Sequence, residues 1–392
     1  MPQPKQDNSH PHPRIFPLSP TTEPLSASHI RGNIWHAAVV ITADGLLWRS
    51  ASIADWTSDA GIDPNLENSC TMSPCTASPQ PLVVGRCRLG LCCMFVGISE
   101  VRFRTTTAAA LSKLPSAAAW HRLCALVEHN AIMLRRALEY CLRLGIRAFR
   151  VLSDLLPLAT HEQYHYRLCD LPAQIHEHFR EAGRFAQSHG IRLSFHPDQF
   201  VLLNSPRPEV VRAAIQDLVM HADLAEVLGA DVINIHAGGI YGDKKQALQR
   251  LARAIDRLPD QVRQRLTLEN DDRFYTVADL LPLCHSLQIP LVYDVHHHRC
   301  LPDDLSVEQA TELAYATWNR EPIFHISSPR SGWRSRDPTQ HADFIRPADF
   351  PVCWLPLSMT VDVEAKAKEK AVLRLARYFA QRQSSAKEHN TE

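Results

Sequence analysis

The sequence has no net charge, since 42 lysines and arginines balance 42 aspartates and glutamates. No protein-wide field therefore draws a polyanion to the surface, and any nucleic-acid site must be a local patch. No run reaches the roughly 18 consecutive apolar residues that span a bilayer, and the N-terminus lacks the apolar core of a signal peptide. The 11 cysteines are odd in number and lack the paired spacing of a disulfide framework. Adjacent Cys92 and Cys93 sit in an apolar run and read as small buried hydrophobes. These absences set the expectation of a cytoplasmic chain in a reducing compartment. No glycine-rich turn follows the first candidate strand, which removes the main support for a doubly wound dinucleotide fold.

What is present is enough apolar material for a large core: 45% of 392 residues, with 21% charged. It is unevenly spread. MPQPKQDNSHPHPRIFPLSPTTEPLSASH and IDPNLENSCTMSPCTASPQP are rich in Pro, Ser and His and cannot bury enough surface to fold alone. Residues 1–85 are therefore expected to form a poorly structured N-terminal extension, and residues 86–384 the catalytic domain.

From Arg86 onward, short apolar runs alternate with amphipathic stretches of helical period. The expected strands are RLGLCCMF (88–95), AFRVL (148–152), RLSFH (192–196), VINIHAGG (232–239), LTLEND (266–271), LVYDVHHH (291–298), IFHISS (323–328) and MTVDVEAK (359–366). Strand and helix repeated to eight strands predict an α/β fold, the (β/α)8 TIM barrel, whose active sites form at the C-terminal ends of the strands. Those ends are where the metal-type side chains fall. They are His196, His236, Glu269, Asp294 with its histidine triplet, His325 and Glu364.

Imidazoles and carboxylates converging on one barrel mouth are costly to desolvate unless cations neutralise the acids and accept the nitrogen lone pairs. A nitrogen and oxygen set without thiolate points to Mn, Zn, Mg or Fe, and the ligand count suits a cluster of two or three ions. Glu269, beside Asn270 and central in chain order, reads as a bridging carboxylate. Such sites hydrolyse phosphodiesters or isomerise sugars.

SFHPDQF (194–200), INIHAGG (233–239), LENDD (268–272), YDVHHH (293–298), FHISS (324–328) and DVEAK (362–366) together resemble the UV damage endonucleases, a TIM-barrel family related to endonuclease IV. The resemblance runs from about Arg88 through the last helix. It implies metal-dependent nicking of damaged double-stranded DNA 5′ of a UV photoproduct; abasic sites, which also present a distorted and easily flipped nucleotide, are the expected second lesion class. It implies His196, His236, Glu269, Asp294, His297, His325, His341 and Glu364 as ligands, with Mn2+ first and Mg2+ or Zn2+ as alternatives. Pleat alternation alone would group Asp294, His296 and His298; the resemblance favours His297.

By the same resemblance, Glu269 and His161 are the catalytic pair, His161 lying near the scissile phosphate. Gln199 and Phe200 fill the gap left when damaged nucleotides are flipped out, a role that suits an amide and an aromatic face. The chain departs from better-known members at two positions. Ile323 stands where they carry a lysine, in some cases carboxylated, and Leu91 stands where they often place an aromatic residue.

Local basic groups supply what net charge does not. Arg330, Arg334 and Arg336 with Trp333 follow the seventh expected strand, Lys244 and Lys245 the fourth, and Arg102 and Arg104 the first. The expected DNA-contacting set is Gln199, Phe200, Tyr241, Lys244, Arg330 and Arg334, and a monomer is the expected form. The alternatives are a xylose-isomerase-like sugar isomerase and a damage-binding protein without chemistry.

Overall fold

The computed structural model describes residues 79–389. Residues 1–78, most of the expected N-terminal extension, lie outside them. The described chain opens with β1 (Val83–Val84), which pairs antiparallel with β2 (Cys87–Cys92) across a turn at Gly85, where a φ of 60° favours glycine. The expected domain boundary at residue 86 falls inside this hairpin. Val84 is fully buried and Leu82 packs on the core, so the folded region begins earlier than composition suggested.

Eight parallel strands follow: β2, β3 (Ala148–Val151), β4 (Arg192–Phe195), β5 (Val232–His236), β6 (Leu266–Glu269), β7 (Leu291–Val292), β8 (Ile323–Ile326) and β9 (Thr360–Val363). Their order is β7-β6-β5-β4-β3-β2-β9-β8. Between β7 and β8 the ladder narrows to a parallel bridge from Asp294 to His325, where the His325 N–H donates to the Tyr293 carbonyl at 3.0 Å. That contact brings the two ends of the sheet together, giving a nearly closed TIM barrel.

Helices α1 (Ala108–Leu111), α2 (Ser116–Arg143), α3 (Ala173–Ser188), α4 (Pro208–Leu228), α5 (Lys244–Ile255), α6 (Asp260–Arg263), α7 (Val277–Leu287), α8 (Val295–Cys300), α9 (Val307–Ala316) and α10 (Glu369–His389) alternate with the strands. Their starts and stops are written locally. Pro208 opens α4 at a position whose N–H needs no partner, and Gly229 ends it at a φ of 73°. Capping boxes start α7 at Thr276 and α9 at Ser306. Apolar faces such as Leu123, Val127, Leu134 and Leu138 of α2 bury against the sheet and leave the mouth to loops. No described helix is long and apolar enough to cross a membrane.

One expected strand is wrong in type. LVYDVHHH leaves the sheet after Val292, and its second half is helix α8. Asp294 is the N-cap, its carboxylate accepting the His297 N–H at 2.8 Å. The turn ends pleat alternation and brings His297 Nδ1 within 3.6 Å of Asp294 Oδ2, while His298 reaches Tyr293 and Asp303 and His296 leans on Trp333.

Candidate metal centre

The strand ends converge as a barrel requires. His236 and Glu269 close β5 and β6, His196 and Glu364 directly follow β4 and β9, His325 lies within β8, and Asp294 with His297 begins α8. Their donor atoms form three sets whose members lie within 4.8 Å of one another: His196, His236 and Glu269; Glu269, Asp294 and His297; Asp294, His325 and Glu364. Glu269 belongs to two sets and so does Asp294, so the three form one continuous chain of donors. His341, carried by the long loop after β8, places Nδ1 3.7 Å from Glu364 Oε2.

The hydrogen bonding inside this cluster is incomplete in a way that suits cations. His196 Nδ1 lies 3.1 Å from the Pro197 carbonyl oxygen and Nε2 lies 3.0 Å from Glu269 Oε2. A neutral imidazole has one proton for these two acceptors. His297 Nδ1 faces three oxygens: the Asn270 carbonyl at 3.0 Å, Glu269 Oε1 at 3.2 Å and Asp294 Oδ2 at 3.6 Å. Glu269 Oε1, Asp294 Oδ2, His236 Nδ1 and His325 Nδ1 are buried with no hydrogen-bond partner. Buried polar atoms ordinarily have partners, and converging lone pairs on nitrogen and oxygen are what a divalent ion satisfies. The donor set therefore fits metal ions.

Electrostatics agree with the geometry. Burial would raise the Glu269 carboxyl, but His325, His236, His196 and His297 hold it well below the usual carboxylate range. Burial would likewise raise Glu364, and Arg150 with His325 and His341 pulls it well down. Burial lowers the imidazoles of His297 and His325, yet Asp294 and Glu269 carry the first well above its ordinary value and Glu269 raises the second. His341 has less compensation, and burial pushes it down to about 4.

Neighbouring residues hold these donors in place. The Asn234 amide donates to Glu269 Oε2, while its own oxygen accepts from Thr267 at 2.9 Å. Asn270 donates to the Asp294 carbonyl at 2.9 Å and accepts the Asp294 N–H at 3.0 Å, which ties the ends of β6 and β7 together. The sequence reading passed over Asn234, which alternates with His236 along β5 and so faces the same side.

The remaining expected residues are more dispersed. His161 stands apart from the three donor sets, in the loop after β3, its Nδ1 accepting the Gln163 N–H at 3.1 Å and its ring leaning on Tyr164. Gln199 and Phe200 lie exposed in the loop after β4; Phe200 is 73% exposed, so core packing does not account for it. Tyr241 is 42% exposed, with Arg250 5.6 Å from its ring centre. Lys244 is engaged with Asp279 at 2.7 Å. Arg330 and Arg334 are exposed, and none of the described ion pairs uses them. Phe274, in the loop after β6, is a further exposed aromatic on the mouth side that the sequence reading missed; a lone Phe in a polar turn carries no periodic signal.

An α/β barrel with a histidine and carboxylate mouth able to hold ions defines the class. Within that class, a family model described as UV-endonuclease UvdE matches residues 87–389. The UV DNA damage endonuclease of Bacillus velezensis is 35% identical over 281 residues, 69% of this chain and 87% of that relative. The one of Bacillus pumilus is 35% identical over 283 residues, with the same shares. Among solved structures, SacUVDE matches with a TM-score of 0.68 at 28% identity, covering 76% of this chain and 99% of that one. The chain belongs to the UV-endonuclease UvdE family. The expectation of a DNA repair endonuclease stands over that of a sugar isomerase.

Proposed function

We propose that the protein is a metal-dependent endonuclease that nicks duplex DNA immediately 5′ of UV photoproducts, with abasic sites as a second lesion class. The observation that carries this reading is the chain of three donor sets linked through Glu269 and Asp294. His196, His236 and Glu269 would hold one ion; Glu269, Asp294 and His297 a second; Asp294, His325 and Glu364, beside His341, a third. Bound divalent ions, Mn2+ before Mg2+ or Zn2+, supply water activation and charge stabilisation for phosphodiester hydrolysis.

The chain's own residues do the rest. Glu269 joins two donor sets through one rigid carboxylate, fixed by Asn234. His161, on the rim after β3, is assigned to the scissile phosphate, where an imidazole can donate to a non-bridging oxygen. Gln199 and Phe200 project from the loop after β4 and replace the pairing and stacking that vanish when damaged nucleotides leave the helix. Tyr241, Lys244, Arg330 and Arg334 contact the backbone around them, and their phosphate contacts position the duplex without reading sequence.

A nicking assay tests the reading. The full chain is incubated with end-labelled duplex carrying one defined pyrimidine dimer, with Mn2+ or Mg2+ and a chelator control. Incision just 5′ of the dimer, absent from undamaged duplex and abolished by chelation, is the expected result. No incision with ions demonstrably bound would overturn it.

A further inference from the structure

Arg150 is a buried arginine directly beneath the donor cluster. It lies on β3 with only 9% of its side chain exposed, a placement that arginine rarely takes unless paired. Its guanidinium reaches three groups: Nε donates to Asp362 Oδ2 at 3.2 Å, and Nη2 donates to Glu364 Oε1 at 2.5 Å and to Cys92 Sγ at 3.0 Å. The barrel makes room for this arrangement. Gly90 lies opposite Asp362 in the ladder, and a Cβ there would stand 2.1 Å from Asp362 Oδ1. Ile323, His325 and Asn234 line the same narrow space, which has no volume for water.

The two oxygens of Glu364 consequently face different partners. Oε1 is taken by Arg150, with His325 Nδ1 at 3.3 Å; Oε2 faces His341 Nδ1 at 3.7 Å. A carboxylate able to rotate about its terminal bond presents either oxygen or both, and a charged hydrogen bond on one oxygen, from a guanidinium itself anchored by Asp362, restricts that freedom. The charge count points the same way. Three buried carboxylates, Glu269, Asp294 and Asp362, and the half-buried Glu364 stand against one guanidinium, leaving three negative charges for ions and imidazolium to balance.

We infer that Arg150 is a positioning residue: it clamps Glu364 Oε1 from below and thereby presents Oε2 as a single-oxygen ligand on the His341 side of the cluster. The inference rests on the reading of Glu364 as an ion ligand. Groups that orient a ligand commonly contribute about 10- to 100-fold in metal affinity. The clamp should therefore be visible in ion binding, independently of DNA cleavage.

The test is Mn2+ titration of the full chain, with free Mn2+ counted by electron paramagnetic resonance and folding checked by circular dichroism. Arg150→Met should weaken at least one bound ion by about 10- to 100-fold. Arg150→Lys keeps the charge and loses the fork, so its affinity should fall between that of Arg150→Met and that of the unsubstituted chain. Asp362→Asn removes the other carboxylate on the guanidinium and one negative charge near His325 but leaves the Glu364 clamp, and should weaken Mn2+ binding by less than Arg150→Met does. Unchanged binding in Arg150→Lys overturns the clamp even if Arg150→Met does not fold. Equal losses in Arg150→Met and Asp362→Asn also overturn it, since Arg150 would then be part of the scaffold. Glu364→Gln separates the two levels. If it loses no ion, the ligand reading of Glu364 fails; if it loses one while both Arg150 variants keep theirs, the clamp alone fails.

Discussion

His325 Nδ1 stands 3.2 Å from Glu269 Oε1, and although His297 Nδ1 and Glu364 Oε1 crowd the same two atoms, both are buried without a hydrogen-bond partner. Two fully buried polar atoms facing each other unsatisfied are costly, so the pair is arranged for something that sits against both. Replacing Glu269 by Gln keeps the volume and removes the charge shared by two donor sets. Metal-dependent cleavage should fall by more than the about 10- to 100-fold typical of a residue that only supports a ligand. Circular dichroism should report a retained fold. Cleavage near the original rate would remove Glu269 from the bridging role.

Proton release should accompany ion uptake. In the ion-free chain, His297 and His325 have pKa values raised by Asp294 and Glu269 against the effect of burial, so both imidazoles keep a proton to higher pH than an ordinary histidine. Nitrogen must be deprotonated to bind an ion. Uptake therefore releases whatever protons these two residues hold, and affinity rises with pH as protonation weakens. His341, pushed down to about 4 by burial, is already neutral and adds none. Titration calorimetry in buffers of different ionisation enthalpy measures the number released; a heat independent of buffer would contradict the assignment.

Much of this centre was legible because barrel topology turns scattered strand ends into neighbours. His196, His236, Glu269, His325 and Glu364 needed only the strand pattern to be grouped. Asp294 was grouped with them, but His297 did not follow from periodicity, since nothing apolar marks the point where the chain leaves β7 and Asp294 caps α8. His341 belongs to no strand or helix, so only resemblance pointed to it. Arg150 was invisible for the opposite reason: a mid-strand arginine reads as surface charge until the fold places two carboxylates against it. The β1 hairpin escaped notice because two valines beside a proline-rich stretch are too short a signal.

Phe200 offers its ring to solvent, so its removal should hardly affect stability, within about 0.5 kcal/mol as for other exposed positions. Base-to-aromatic stacking is worth about 1 to 3 kcal/mol per base. Phe200→Ala should therefore lower the preference for dimer-containing over undamaged duplex by that amount while Mn2+ binding stays unchanged. Competition binding with the two duplexes measures it, and an unaltered preference would exclude Phe200 from lesion recognition.

Arg330 and Arg334 sit exposed on the loop after β8, outside the described ion pairs. If each meets a phosphate, replacing both by Ala should flatten the dependence of log affinity on log salt by about 1 for each phosphate no longer neutralised. Affinity for damaged and undamaged duplex should fall alike, because phosphate contacts carry no lesion information. An unchanged salt slope would place these arginines off the DNA path.

Asp349 anchors the loop that carries both those arginines and His341. Its carboxylate, 7% exposed as a residue, accepts the Ser328 hydroxyl at 2.5 Å and the Trp333 indole N–H at 2.8 Å. The Trp333 ring in turn lies 5.2 Å from that of His296, which is 5.0 Å from that of His341. Asp349→Ala strands two donors in a largely dry site, at a cost of about 1 to 3 kcal/mol in stability. Because the loop joins the arginines proposed to meet DNA to the histidine proposed to meet an ion, this single change should weaken Mn2+ binding as well as DNA affinity. The Arg330 and Arg334 double replacement should weaken only the latter. Mn2+ titration of the two variants side by side distinguishes the cases. Unchanged Mn2+ binding in a destabilised Asp349→Ala would mean that His341 is held in place without the Asp349 anchor.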